Sequence, residues 1–421
     1  MDTLIYPVGE LATPWVDAPP ARRAEMGQVK RIRDAAVAIR SGFVVGAGPA
    51  EAVLKEFKPG RDTLVIDASG KLVTPGLVDP HTHAIFAGNR ANEFIMRCQG
   101  KTYAEIARAG GGIVASMRAT REASLDELAG MGQERFKRML AAGTTTCEVK
   151  TGYGLDLRSE MEMLEAVLAL SRSQPLELVP TFMAAHAVPP GGDRGRYVEE
   201  IVTRMLPAAA ERVRKEGPGA LLFNDVFCDE GYFTLAETRR ILEAGIELGM
   251  RPKVHADEFI SLGATALAVE LKAASADHLL AVSNPDIELL AGSETVAVLL
   301  PGTSFFLNLP EHAPARKLID SGAAVALGSD FNPGSCHIFS LPFIWGLACL
   351  HLRMTPQEAL TALTVNAACA IGLGKKIGQI RPGYQADVVV FAVGSLEEIP
   401  YNLGWNPVLM TIKKGRVVAK N

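Results

Sequence analysis

The chain has 421 residues, 48% of them apolar and 21% charged, which is enough material for a large α/β domain with a smaller companion. A net charge of −4 excludes the strongly basic surface that nucleic acid or an anionic membrane would require, so neither partner is expected. No apolar run approaches the ~20 residues of a membrane span, and no basic stretch followed by an apolar one opens the sequence, which predicts a cytoplasmic protein.

In chain order, residues 28–69 contain short β-branched runs at 35–39, 43–45 and 64–66, divided by turn residues such as Pro59-Gly60. From residue 76 onward, strand-like runs at 76–81, 144–149, 176–182, 223–227, 253–256, 274–278, 295–299 and 323–327 alternate with helical stretches. Helical spacing is clear at 159–171, 198–215, 235–249 and 262–271. The triplet Gly110-Gly111-Gly112 follows no strand in the dinucleotide-binding pattern and is expected to be a flexible loop. The C-terminal piece returns to strands at 387–392, 410–413 and 416–419, with Lys414-Gly415 as a hairpin turn. Eight strand–helix alternations over roughly 300 residues predict a (β/α)₈ TIM barrel. The two β-rich ends predict one small β-sandwich domain, so that residues 1–75 and 377–421 flank a barrel of residues 76–376.

In such a barrel the chemistry sits at the C-terminal ends of the strands. Five of the eight histidines fall there: His81 and His83 after strand one, His186 after strand three, His255 on strand five and His278 on strand six. Strand eight runs into Asp330. His81 and His83 are i and i+2 on an extended segment, so their imidazoles aim at one point. With His255 and Asp330 they form a three-nitrogen, one-oxygen set suited to one divalent metal, Zn²⁺ or iron (Fe²⁺/Fe³⁺), with a position left for water. Two plainer roles stand beside this: His255 as a core histidine on a backbone carbonyl, and Asp330 as a helix N-cap. His278 is placed to orient a water or shuttle its proton, or else is a buried structural histidine. The six cysteines form no C-x-x-C pair and are expected to be free thiols, with Cys336 close enough to the site to be considered as a soft ligand. His312 and His337 fall in loops near the barrel top and receive no role.

These residues resemble the amidohydrolase superfamily. The resemblance lies in His-x-His after Pro75-Gly76-Leu77-Val78-Asp79, single histidines on strands five and six, and the strand-eight aspartate. The segment Gly378-Gln379-Ile380-Arg381-Pro382-Gly383-Tyr384-Gln385-Ala386-Asp387 is similar to the return into the β-domain of those proteins. Their binuclear members carry a bridging lysine on strand four. Here that strand ends Asp225-Val226-Phe227-Cys228-Asp229-Glu230, which implies a single metal.

Further segments narrow the resemblance to the subgroup that opens the cyclic amide of 4-imidazolone-5-propanoate, yielding N-formimidoyl-L-glutamate in histidine breakdown. They are 79–90 with Arg90, Glu148-Val149-Lys150-Thr151-Gly152-Tyr153-Gly154, 181–186 with His186, Val254-His255-Ala256-Asp257-Glu258, and 328–335. The resemblance implies roles that each residue type can fill. Asp330 accepts and returns a proton, and His278 holds the water or the oxyanion. Glu258, as a carboxylate, accepts hydrogen bonds from the ring N–H groups, and the Arg90 fork takes the propanoate. Tyr153 and His186 add donors, while Asn332, Gly334 and Ser335 hold the new carboxylate through side-chain and backbone donors. A homodimer is typical of the subgroup. The alternative is a deaminase of an aromatic base with the same metal set, which needs no arginine for a substrate carboxylate. A scaffold without chemistry should have lost ligands, and all four are present.

Overall fold

The computed structural model describes the chain except for Met1 and residues 102–104, 106–109 and 218. Strands β1 (Thr3–Pro14), β2 (Val29–Arg40), β3 (Phe43–Pro49) and β4 (Leu64–Pro75) open the chain. Then come β5 (Leu77–Asp79), β6 (Thr144–Lys150), β7 (Glu177–Ala185), β8 (Phe223–Cys228), β9 (Arg251–Ala256), β10 (Ser275–His278), β11 (Val296–Leu299) and β12 (Val325–Leu327). Strands β13 (Val388–Phe391), β14 (Val408–Lys413) and β15 (Arg416–Lys420) close it.

Both termini build one mixed sheet in the order β15-β14-β13-β4-β1-β2-β3, in which β1 and β4 run parallel and the other neighbours antiparallel. Ile5, Val37, Ile66, Val388 and Ile412 share its apolar core. Strand β1 escaped the sequence reading because Pro7 and Gly9 interrupt its pattern, and the register shifts between Ile5 and Val8 where they fall.

Strands β5 to β12 pair in chain order, all parallel, as a TIM barrel. Closure is made by the His81–His83 segment itself. Thr82 bridges Phe331, the Asp330 N–H donates to the His81 carbonyl at 3.0 Å, and the His83 N–H donates to the Phe331 carbonyl at 2.9 Å. Both histidines therefore lie beyond β5, on an extended continuation of it that pairs with the continuation of β12. The i, i+2 argument survives because the backbone stays extended there.

Helices wrap the barrel. Leu157–Ser173 starts at Asp156, whose carboxylate accepts the Ser159 N–H, and Leu235–Glu247 starts at a Thr234/Glu237 capping box. The single helix expected over 198–215 is instead Arg194–Glu200, a π-helical turn Ile201–Met205, and Leu206–Arg214. Pro207 has no N–H to donate backward, and the wider turn before it absorbs the lost bond. Among the described residues no helix is long and apolar enough to cross a membrane.

Candidate metal centre and active site

A cavity of about 630 Å³ opens at the C-terminal end of the barrel strands, lined in part by His83, Arg90, Tyr153, His255, Glu258 and Asp330. Two residues at its base hold unusual backbone: His278 has φ +80° and Asp330 φ +52°. Non-glycine residues in this region cost of order 1–3 kcal/mol each, a cost that concentrates at functional sites.

Of the expected metal set, His81, His83 and His255 group together, while Asp330 groups with His81 and His278. One ligand atom each from His81, His83 and His255 lies within 4.8 Å of the others, and so does one each from His81, His278 and Asp330. His83 Nε2 is 3.4 Å from His255 Nε2, and Asp330 Oδ1 is 3.5 Å from His81 Nε2 and 3.8 Å from His83 Nε2. Burial, reinforced for His81 by Lys150 and for His83 by His186, holds both imidazoles well below their ordinary pKa. Neutral imidazole is the form that binds a metal. The outer nitrogen of His81 is tied down, Nδ1 lying 2.6 Å from Asp277 Oδ2, and His255 Nδ1 lies 3.0 Å from Asp225 Oδ2 without hydrogen-bond geometry. The Asp277 carboxylate fixes the His81 ring with its Nε2 lone pair pointing inward. His81 Nε2 is buried without a hydrogen-bond partner among the described residues, which a cation would satisfy. Asp330 Oδ2 accepts the Thr303 hydroxyl at 2.6 Å, leaving Oδ1 for the centre. Burial pushes the Asp330 carboxyl up to about 6, against the pull of Thr303 and His255. The donor set therefore fits one divalent metal, and His278 stands beside it, also held neutral by burial.

Beneath the histidines, the barrel floor carries a charge cluster that sequence reasoning missed. The Lys150 ammonium is 2.7 Å from Asp225 Oδ2, 2.8 Å from Glu148 Oε2 and 3.7 Å from Asp277 Oδ2. Lys253 lies 3.0 Å from Glu148 and donates to the Pro80 carbonyl at 2.9 Å. All five charged side chains are fully buried. Burial alone would drive the proton off Lys150, but Asp225, Glu148 and Asp277 outweigh it and raise its pKa. A signal was available: Glu148/Lys150 and Lys253/His255 are i, i+2 pairs that put charge on one face of otherwise apolar strands.

Three of the substrate-side groups have partners or surroundings in the structure that bear on their expected roles. His186 was expected to donate, yet its Nδ1 lies 3.0 Å from the Gly152 carbonyl, which can only accept. Burial lowers its pKa to about 3, so the ring is neutral and presents an accepting Nε2 to the cavity. The Asn332–Ser335 loop was expected to offer donors for a carboxylate; the Asn332 amide and the Gly334 and Ser335 N–H groups bond within the loop, while the Ser335 hydroxyl accepts there and keeps its own O–H to donate. Asn332 Oδ1 accepts the N–H groups of Gly334 (2.8 Å) and Ser335 (2.7 Å), and its Nδ2 donates to the Asp330 carbonyl (2.7 Å) and the Ser335 hydroxyl (2.8 Å). Gly334 instead provides clearance, because a Cβ there would overlap the Arg90 guanidinium. Glu258 was expected as a carboxylate, but burial, with Asp330 and Asp229 adding negative charge, raises its pKa well above the ordinary value.

Arg90 and Tyr153 line the cavity as expected, and the buried Tyr153 phenol is held un-ionised. Two positioning groups had no sequence signal. Glu160 accepts the N–H groups of Gly152, Gly154 and Leu155 and so fixes the Tyr153 loop. Asp229 accepts those of Glu258 and Phe259, each at 2.9 Å, and turns Glu258 inward. The Cys336 thiol points to the Ser329 carbonyl at 3.2 Å, away from the ligand set. His312 packs on His351 and His337 on Phe331, outside the cavity lining. Gly110-Gly111-Gly112 lies in a turn ahead of the helix Ile113–Glu122, and the Gly112 N–H donates to Glu93.

The model of the Amidohydrolase family matches residues 72–418. The chain is 48% identical to an imidazolonepropionase of Symbiobacterium thermophilum, covering 99% of this chain and 97% of the relative. It is 47% identical to one of Chloroflexus aggregans, covering 100% and 99%. Among solved structures it is similar to E. coli guanine deaminase, with a TM-score of 0.76 at 17% identity over 100% of this chain and 99% of the other. A Xanthomonas campestris adenosine deaminase with bound zinc gives 0.70 at 17% identity over 99% and 92%. At such identity these structures speak for the fold alone.

Proposed function

The chain belongs to the amidohydrolase family, in its imidazolonepropionase branch, and on that premise we propose that its barrel site hydrolyses the cyclic amide of 4-imidazolone-5-propanoate in histidine degradation. The observation that carries the reading is the grouping of His81, His83 and His255, with Asp330 Oδ1 3.5 Å from His81 and 3.8 Å from His83, in a cavity that Arg90 also lines. We take residues 76–376 as the hydrolase barrel, and 1–75 with 377–421 as the domain that supports it.

His81, His83, His255 and Asp330 would hold one divalent metal, zinc or iron. Such a cation, when bound, supplies a strong nucleophile at neutral pH by lowering the pKa of water toward ~7. The remaining work falls to side chains. Arg90 binds the propanoate and so fixes the ring in the cavity. The Tyr153 hydroxyl donates to the substrate, while the neutral His186 accepts from a ring N–H. Asp330 Oδ1 takes the proton as the water oxygen attacks the amide carbonyl, and a carboxyl near 6 suits that task at neutral pH. His278 orients the attacking oxygen or the oxyanion. The C–N bond then breaks, the departing ring nitrogen receives the proton from Asp330, and the carbonyl carbon leaves as a carboxylate. Glu258 faces the ring nitrogens, where their N–H groups favour its ionised form. With the amide donors of the Asn332 loop engaged, the Ser335 hydroxyl is left to donate to the new carboxylate. A homodimer in the cytoplasm completes the reading.

The test is incubation of metal-loaded protein with freshly made 4-imidazolone-5-propanoate, following loss of ring absorbance with and without chelator. Loss that chelator suppresses is expected. A ring that persists beside the metal-loaded protein overturns the assignment.

A further inference from the structure

We propose that Glu93 is a positioning residue for substrate binding, holding Arg90 so that the guanidinium is set for a carboxylate before one arrives. The inference rests on the proposed function, in which Arg90 binds the propanoate. Arg90 immediately precedes the helix Ala91–Cys98, and Glu93 lies in that helix's first turn. Glu93 Oε2 accepts from Arg90 Nε at 2.8 Å and from Nη2 at 2.7 Å. Its other oxygen, Oε1, accepts the Gly112 N–H at 2.9 Å. The side chain is 8% exposed and thus anchored on the segment leading into the helix Ile113–Glu122.

Two neighbours therefore confine one guanidinium. Glu93 grips the Nε edge, and the Gly334 backbone lies against Nη1 closely enough to leave no room for a Cβ. Glu93 takes only Nε and one N–H of Nη2, and Arg90 lines the cavity, so we take the guanidinium's remaining N–H groups as those that meet a carboxylate. A free arginine loses rotamer freedom when it binds a ligand, and an arginine already held has less to lose.

An acid beside Arg90 has an opposite potential effect, since its negative charge opposes that of an incoming carboxylate. Which effect dominates decides the sign of the change when the charge is removed. The geometry points to positioning. Glu93 shares the cavity wall with Arg90, but its carboxylate is tied to Gly112 and accepts from the Nε edge of the guanidinium. Glu93 thus acts through Arg90 and does not touch the reacting amide.

The experiment is steady-state kinetics of metal-loaded wild type, Glu93→Gln, Arg90→Met and the double variant on 4-imidazolone-5-propanoate. Glu93→Gln is expected to raise KM about tenfold while leaving kcat within about twofold, the pattern of lost binding that is equal in ground and transition states. In the Arg90→Met background the same change should have little further effect on KM, because no guanidinium remains to be positioned. A KM that is unchanged or falls in Glu93→Gln overturns the proposal, as does an equal increase in the Arg90→Met background. If Glu93→Gln does not fold, Glu93→Asp, which keeps the charge but shortens the reach, is read by the same criteria. Wild-type protein inactive on this substrate would overturn the functional reading itself, a result distinct from active wild type with an indifferent Glu93 variant.

Discussion

Asp277 Oδ2 lies 2.6 Å from Nδ1 of His81, both side chains fully buried, so a carboxylate on β10 sets the ring of a histidine just past β5. Replacing Asp277 by asparagine removes the charge that favours the Nδ1–H form with Nε2 free. Metal affinity is expected to fall about 10–100-fold, the usual effect of losing such a partner. Competition with a chelator of known affinity measures it, and an unchanged affinity would contradict the role.

Gly334 and Arg90 offer a steric test. Gly334 lacks the positive φ that would strain a larger residue, so Gly334→Ala should act mainly by displacing the guanidinium. KM is expected to rise roughly three- to tenfold with a stability change of about 1 kcal/mol or less. Kinetics alongside urea denaturation separate the two quantities.

Arg90→Met distinguishes the proposed hydrolase from a deaminase of an aromatic base. Loss of a charge-assisted pair of bonds to a carboxylate should raise KM by about tenfold or more. A KM that stays put would favour a substrate without the acidic tail.

Lys150 lies within 3.7 Å of three buried carboxylates, and its removal leaves Lys253 as their remaining cation among the described residues. Lys150→Met should therefore destabilise the fold by about 3–5 kcal/mol, as breaking a buried ion pair from one side generally does. Denaturant titration reads this directly, and wild-type stability in the variant would show that the cluster reorganises freely.

Glu177 gives a pH dependence of defined sign. Burial acts to raise its pKa, but Lys413, Gln385 and Lys376 outweigh that and hold it well below the ordinary value. A depressed folded pKa contributes stability that is complete above the unfolded pKa of ~4.3 and is lost as pH falls below it. The stability difference between wild type and Glu177→Gln should be constant from pH 6 to 8 and shrink as pH drops below ~4.3. A difference that grows on acidification would reverse the assignment.

Much of the site was legible because its cues are local. Strand periodicity and the rim rule located His81, His83, His255, His278 and Asp330 without any knowledge of partners. The barrel floor was not legible, since nothing near Lys150 or Lys253 in sequence shows that the fold surrounds them with Glu148, Asp225 and Asp277. Asn332 is similar: its residue type offers donors, but only the folded loop shows them already engaged. The π-helical turn at Ile201–Met205 could have been suspected from Pro207, although a proline alone leaves open whether a helix ends, kinks or widens.

The amino-acid order by itself determined the alternation of strands and helices and which side chains stand at the strand ends, because the period of a strand and the direction of its side chains are set within a few residues. Tertiary structure alone decided which of those side chains have free valences, which tautomer each ring adopts and which charges can be buried. Those properties depend on desolvation and on partners remote in sequence, as with His81 and Asp277, 196 residues apart.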